Sequence, residues 1–277
     1  MLTFIHGPYS RHRRENTRGG SKESMSGHSK WATIKRKKAL IDSKRGQAFT
    51  KIIREINVAA RSGGGNPDSN PRLRMIMDKA RELNMPNDNI KRAIQRGTGE
   101  GADAVQYEEV VYEGYGPGGA AVLVEVLTDN KNRTSSELRT SFTRNGGNMG
   151  TPGCVSWMFH ASGLLIFDKA RYDEDALMTA TLEAGADDFK TTDSTYEIIT
   201  APDKLASVRA ALAAKNFVPT SADLVKIPKT TVPLDGKNAE MMVKLIEGLE
   251  DHDDVQNVYA NYDIADKLLE SLVGSGA

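Results

Sequence analysis

Two short stretches hold side chains whose types and spacing suit phosphate chemistry. Residues 27–38, GHSKWATIKRKK, carry five cations: Lys30, Lys35, Arg36, Lys37 and Lys38. Lys44 and Arg45 extend this run, and Lys51 and Arg54 follow on the next predicted helix. Cations at this density bind a phosphate backbone by displacing its counterions. Trp31 lies inside the run and has two readings: stacking on an unpaired base, or filling a small helical core. The second stretch, LTDNKNRTSSE, places Asn130, Lys131, Asn132 and Arg133 directly before a capping box, Thr134-x-x-Glu137. A helix start carries free N–H groups and partial positive charge, so these four residues outline a candidate anion site. The plainer alternative is a polar strand-to-helix turn.

Bond-making chemistry finds no support. G-x-S-x-G, the Walker-A lysine motif and H-E-x-x-H are absent from the sequence. The five histidines, His6, His12, His28, His160 and His252, are scattered. Cys154 is the single cysteine, so no internal disulfide forms; its apolar segment reads as a buried strand. Residues 250–254, EDHDD, are contiguous rather than convergent, and read as a solvated turn, not a metal site. Gly114, Gly116 and Gly119 match G-x-G-x-x-G, but a strand follows where a dinucleotide site needs a helix, so a hairpin turn is expected. No catalytic residue, cofactor or metal is implied, and an enzyme is not expected.

Charge is divided along the chain. The totals cancel, with 37 basic and 37 acidic residues. Residues 1–100, however, hold 22 Lys/Arg against 9 Asp/Glu, and residues 101–277 hold 15 against 28. This is a basic binding module joined to an acidic body. No apolar run has membrane-spanning length, which with the lone cysteine points to a cytoplasmic protein with no membrane partner.

The elements that position these residues follow from periodicity. Residues 1–24 read as a disordered extension, with the natural chain expected to start at Met25. Residues 25–100 read as a basic helical domain. Phe49, Ile52, Ile53, Ile56 and Ala60 form one apolar stripe, ended by Gly63-Gly64-Gly65. Asn70 and Pro71 start a second helix that buries Leu73, Ile76, Met77, Ala80 and Leu83. A third, from Asn87 to Arg96, buries Ile90, Ala93 and Ile94 and stops at Gly97. No tight helix-turn-helix is evident. In the acidic body, a hairpin, a helix near 135–144 and the strand CVSWMF precede a β-α-β-β-α-β series, the ferredoxin-like order. RNGGNMGTPG, residues 144–153, reads as a flexible connecting loop. The expected fold class is α+β multidomain. The helical bundle is followed by two small ferredoxin-like α/β domains, residues 161–229 being inserted into one made of 101–160 plus 230–277.

GHSKWATIKRKK, KRGQAFTKIIREI, GGGNPDSNPRLR, YEGYGPGGAAVLVEVLTDNKNRT and GGNMGTPGCVSWMF closely resemble the YebC/PmpR family, from Met25 to near the C-terminus. The resemblance implies a helical domain followed by two α/β domains. It also implies one of two functions. Bacterial members carry the label of transcriptional regulators that bind DNA. Mitochondrial members, and increasingly bacterial ones, look like ribosome-associated translation activators that relieve stalling at stretches such as proline runs. The expected partner is therefore nucleic acid, as promoter DNA or ribosomal RNA.

Overall fold

A computed structural model describes residues 45–99 and 106–274. Lys30, Trp31, Lys35, Arg36, Lys37, Lys38, Lys44 and the expected start at Met25 lie outside the described residues.

Three helices form the basic module: α1 (Arg45–Gly63), α2 (Pro71–Glu82) and α3 (Asn87–Gly97). Their apolar stripes meet in one core of Ile52, Ile56, Ala59, Leu73, Ile76, Ala80, Met85, Ile90 and Ala93. Leu83, expected inside, is instead the half-exposed C-cap of α2. Asn70 caps α2 by accepting from the Leu73 N–H at 3.0 Å. Its amide also donates to the Ala59 and Gly64 carbonyls at 2.8 and 2.9 Å, so one side chain starts α2 and closes the end of α1. The turn from α2 to α3 has only the four residues 83–86, with Asn84 at φ 56°. The glycine-rich connection from α1 to α2 is the longer one, as expected, and the short turn follows it. Gly97 is the last residue of α3, one position beyond the expected end, and is pressed against α1, where an added Cβ would meet the Asn57 carbonyl oxygen at 2.5 Å and the Ala60 Cβ at 2.8 Å.

The body contains two four-stranded antiparallel sheets. The first has the order β3-β1-β2-β9, with β1 (Glu108–Tyr115), β2 (Ala121–Thr128), β3 (Asn148–Met149) and β9 (Val255–Ala260). Helices α4 (Lys131–Arg144) and α7 (Gly236–Glu250) cover one face, sealing Val122, Val124, Leu138, Phe142, Met242 and Leu245. The β1–β2 connection is a hairpin across Gly116–Gly119, as the glycine spacing suggested. The second sheet has the order β5-β6-β4-β7, from β4 (Phe159–Asp168), β5 (Asp188–Thr191), β6 (Thr195–Thr200) and β7 (Ser221–Pro228). Helices α5 (Glu174–Glu183) and α6 (Leu205–Ala214) join its strands into β-α-β-β-α-β, the ferredoxin-like order. The first sheet is different: it opens with a hairpin and places β1 and β2 side by side at its centre, so the ferredoxin-like expectation fails for that unit. The uncovered faces of the two sheets stack, with Leu123 and Tyr259 against Leu164, Ile166 and Val225. Lys226 and Glu125 pair across this contact at 2.8 Å. A two-stranded parallel pair, β8 (Val232–Pro233) with β10 (Tyr262–Asp263), and a final helix α8 (Asp266–Gly274) complete the described chain; the sequence reading did not anticipate them.

Residues 144–158 depart from expectation as well. CVSWMF is not a strand: Cys154 and Val155 lie in a turn, and a short 3₁₀ helix spans Ser156–Met158 before β4 begins. The cause is Glu113, buried at the end of β1, whose carboxylate accepts the backbone N–H groups of Gly153, Val155 and Ser156 at 2.7–2.8 Å. Burial works to raise the Glu113 pKa, but these three bonds outweigh it and hold the carboxyl below its usual range. The glycine-rich loop is thus pinned to β1, and β3 within it pairs with Gly114 and Tyr115. Burial and the Glu113 charge push the Cys154 thiol up, which disfavours its thiolate form.

Gly97 yields a direct test of the α1–α3 crossing. Gly97→Val should lower stability by about 1–3 kcal/mol, since the obstacle is backbone. Gly46→Ala, on α1 with nothing within 4 Å of the added Cβ, should leave stability unchanged or raise it by about 0.5–1 kcal/mol. Urea unfolding midpoints read both.

Candidate nucleic-acid interface

The sequence-predicted residues divide sharply once placed. Arg45 begins α1. Lys51 and Arg54, further along the helix, face the acidic body rather than solvent. The Lys51 ammonium donates to the Glu250 carbonyl at 2.6 Å, at the C-terminal end of α7. The Arg54 guanidinium donates to the Asp253 carbonyl and pairs with the Asp254 carboxylate at 2.7 Å. It also lies 5.4 Å from the Tyr107 ring centre. Gln47 reaches the Asp251 carbonyl at 3.4 Å. Side chains of α1 therefore satisfy carbonyls at and just beyond the negative end of α7.

Asp254 is the centre of this contact. It lies within the EDHDD turn, yet is only 2% exposed, which corrects the solvated reading for this residue. Its carboxylate accepts the Thr134 hydroxyl at 2.5 Å, the Thr128 hydroxyl at 3.0 Å and the Arg133 guanidinium at 3.2 Å, besides Arg54. Burial acts to raise its pKa; the Thr134 and Thr128 hydroxyls, the Arg133 bond and the Arg54 charge together hold it below the ordinary carboxylate value. His252 orients the turn, with Nδ1 accepting the Asp254 N–H at 3.1 Å and Nε2 meeting Glu137 at 2.8 Å.

The anion site read at residues 130–133 is a genuine helix start, shifted by four residues. Asn130 caps α4, accepting the Arg133 N–H at 3.1 Å, and Thr134 lies inside the first turn. Thr134 and Glu137 therefore do not form a capping box. The anion at this first turn is the protein's own Asp254. Arg133 also pairs with Asp129 at 2.7 Å, Lys131 pairs with Glu108, and Asn132 is exposed.

The remaining cations of the described module sort in the same way. Arg72 pairs with Glu109, Arg74 with Asp68, Lys79 with Glu55 and Arg81 with Asp78. Arg61, Lys91, Arg92 and Arg96 are exposed and make no ion pair or side-chain hydrogen bond among the described residues. Lys91, Arg92 and Arg96 are on α3 away from its buried Ile90, Ala93 and Gly97; Arg61 is in the last turn of α1. Sequence reasoning passed over these four in favour of denser runs. The available signal was the α3 segment itself, NDNIKRAIQRG, with three cations and one acid.

Removing the Asp254 charge should therefore be costly. Asp254→Ala leaves Arg54 and two buried hydroxyls without their partner and should destabilise by about 3–5 kcal/mol. Because the folded-state pKa is depressed, this contribution is complete above the unfolded value, about 3.9, and is lost as pH falls below it through the folded value. Asp254→Asn should accordingly flatten the acid limb of the stability–pH curve below about pH 4, measured by chemical unfolding.

Comparison with known proteins agrees with this architecture. Residues 29–100 match the family model described as the TACO1/YebC protein N-terminal domain, and residues 107–262 match that for the TACO1/YebC second and third domain. A "Probable transcriptional regulatory protein" of Pelotomaculum thermopropionicum is 57% identical over 244 residues, covering 87% of this chain and 100% of the relative. One of the same name from Dictyoglomus turgidum is 55% identical over 249 residues, covering 90% and 100%. The crystal structure of a conserved hypothetical protein from Aquifex aeolicus superposes with a TM-score of 0.74 at 44% identity, covering 81% of this chain and 92% of that one. With matches to the models for all three domains, and relatives more than half identical along their whole length, the chain belongs to the TACO1/YebC family.

Proposed function

We propose that this protein is a non-enzymatic, nucleic-acid-binding regulator of gene expression, of the transcriptional-regulator type that its relatives are named for. The observation that carries this is the sorting of cations. Lys51, Arg54, Lys131 and Arg133 are held by carboxylates and carbonyls of the protein itself, whereas Arg61, Lys91, Arg92 and Arg96 stand without a partner among the described residues. Uncompensated cations grouped on a basic module are what phosphate contacts require. The basic run Lys30, Lys35, Arg36, Lys37, Lys38 and Lys44 lies before α1 in the sequence, and Arg45 opens that helix. The four-residue turn before α3 supports DNA as target, with α3 offered to a groove and its cations to flanking phosphates.

A second reading is an RNA target on the ribosome, with action in translation. The acidic half of the chain favours it: 28 Asp/Glu against 15 Lys/Arg would repel a long duplex wrapped around the body.

Substituting Lys91, Arg92 and Arg96 by Ala should weaken binding across sequences and lower the slope of log affinity against log salt by about one per lost phosphate contact. Arg81→Ala, whose guanidinium is occupied by Asp78, should change neither. Fluorescence anisotropy across a salt series reads both, and an unchanged slope in the triple variant would defeat the assignment. Sedimentation of lysate then separates the targets: salt-sensitive co-migration with ribosomes supports translation, and a footprint on defined DNA without it supports transcription.

A further inference from the structure

Where α1 crosses α3, the helix ends enclose an open cleft of about 430 Å³, lined by Asn57, Arg61, Arg96, Gly97, Thr98 and Gln106 among others. Its volume lies in the range of small-ligand sites. Gly97 makes it possible, because only a residue without Cβ lets the two backbones approach this closely.

Asn57 is the unusual member. It is 4% exposed, yet its side-chain amide makes no hydrogen bond among the described residues. Its amide is therefore left to hydrogen-bond with whatever occupies the cleft. Neither amide atom is wholly enclosed without a partner; the side chain lines the cleft.

Acceptors at the cleft are already in use. At the end of α1, the Ala59 carbonyl accepts from Asn70 and the Ala60 carbonyl from the Gly64 N–H. At the end of α3, the Ile94 carbonyl accepts from the Thr98 N–H, the Gln95 carbonyl from the Thr98 hydroxyl and the Arg96 carbonyl from the Gly99 N–H. Arg61 and Arg96, in the last turns of α1 and α3, offset the partial negative charge of both helix ends. What remains is the Asn57 amide and two unpaired guanidinium groups, a set rich in donors. Its complement is a ligand with an anionic, bidentate acceptor and a further carbonyl or ring-nitrogen acceptor.

We propose that this cleft binds one unpaired nucleotide of a single-stranded nucleic acid, with its phosphate on Arg61 and Arg96 and its base edge on the Asn57 amide. The proposal rests on the nucleic-acid reading above and deepens it. A base inside a duplex cannot present its edge to a buried side chain, so the cleft selects single-stranded segments, loops or ends.

The test uses the full chain and three labelled probes: a single-stranded RNA 12-mer, its deoxy counterpart, and a blunt-ended RNA duplex of two annealed strands with no loop. Asn57→Asp is isosteric and replaces the amide donors with an anion. It should weaken single-strand binding about 10-fold or more while changing duplex binding less than about twofold. Arg61→Ala, at an exposed position, should weaken single-strand binding more than duplex binding and guards against misfolding as an explanation. On ¹H–¹⁵N NMR, adenosine or uridine 5′-monophosphate should shift the Asn57 side-chain amide. Equal losses for all probes, or an Asn57 amide that does not move when nucleotide is added, would overturn the cleft while leaving the general nucleic-acid reading in place. Failure to bind any of the three probes and also duplex DNA would overturn both.

Discussion

A buried carboxylate must be neutralised where it sits, and Asp254 sets that requirement for this molecule. Its side chain is almost wholly enclosed, so its charge must be met on the spot by cations and hydrogen-bond donors. The carboxylate's partners come from three places: the end of β2, the first turn of α4 and the middle of α1. Two of these belong to the acidic body and the third to the basic module. One ionised group therefore ties the end of β2 to the first turn of α4 and holds the bundle against the body.

This constraint determines which cations remain available for a partner. Arg54 and Arg133 are spent on Asp254, and Lys51 on the end of α7. The exposed cations of α3 and the last turn of α1 stay unpaired among the described residues because no carboxylate of the module reaches them. Charge separation along the sequence thus becomes charge selection in space. The side of α1 that carries Lys51 and Arg54 is inward and structural, and α3 carries the free charge.

Much of the fold was legible in the sequence because local signals agreed with the tertiary result. The stripe of Ile52, Ile56 and Ala60, the Asn70–Pro71 helix start and the β-α-β-β-α-β series each rest on short-range periodicity or capping. The failures share a cause: a distant residue overrode the local pattern. Val155 and Met158 read as strand until the Glu113 carboxylate, forty residues away in β1, collects the N–H groups of that turn. Thr134 read as an N-cap, but its hydroxyl goes to Asp254, and Asn130 takes the cap. Asp254 read as solvated because four charged or polar neighbours in sequence concealed one buried position. For the candidate site, charge density located the module but not the useful charges, since the carboxylates that neutralise Lys131, Arg54 and Arg133 lie up to 200 positions away.

The central claim is that the cations of this protein fall into a structural set and a free set. Mass-spectrometric footprinting of arginines with phenylglyoxal, on the full chain with and without bound nucleic acid, tests it most directly. The account predicts that Arg61, Arg92 and Arg96 react in the free protein and become protected in the complex, while Arg54 is unreactive in both. An Arg54 that reacts freely and is protected only by nucleic acid, with Arg92 and Arg96 equally reactive in both states, would contradict it.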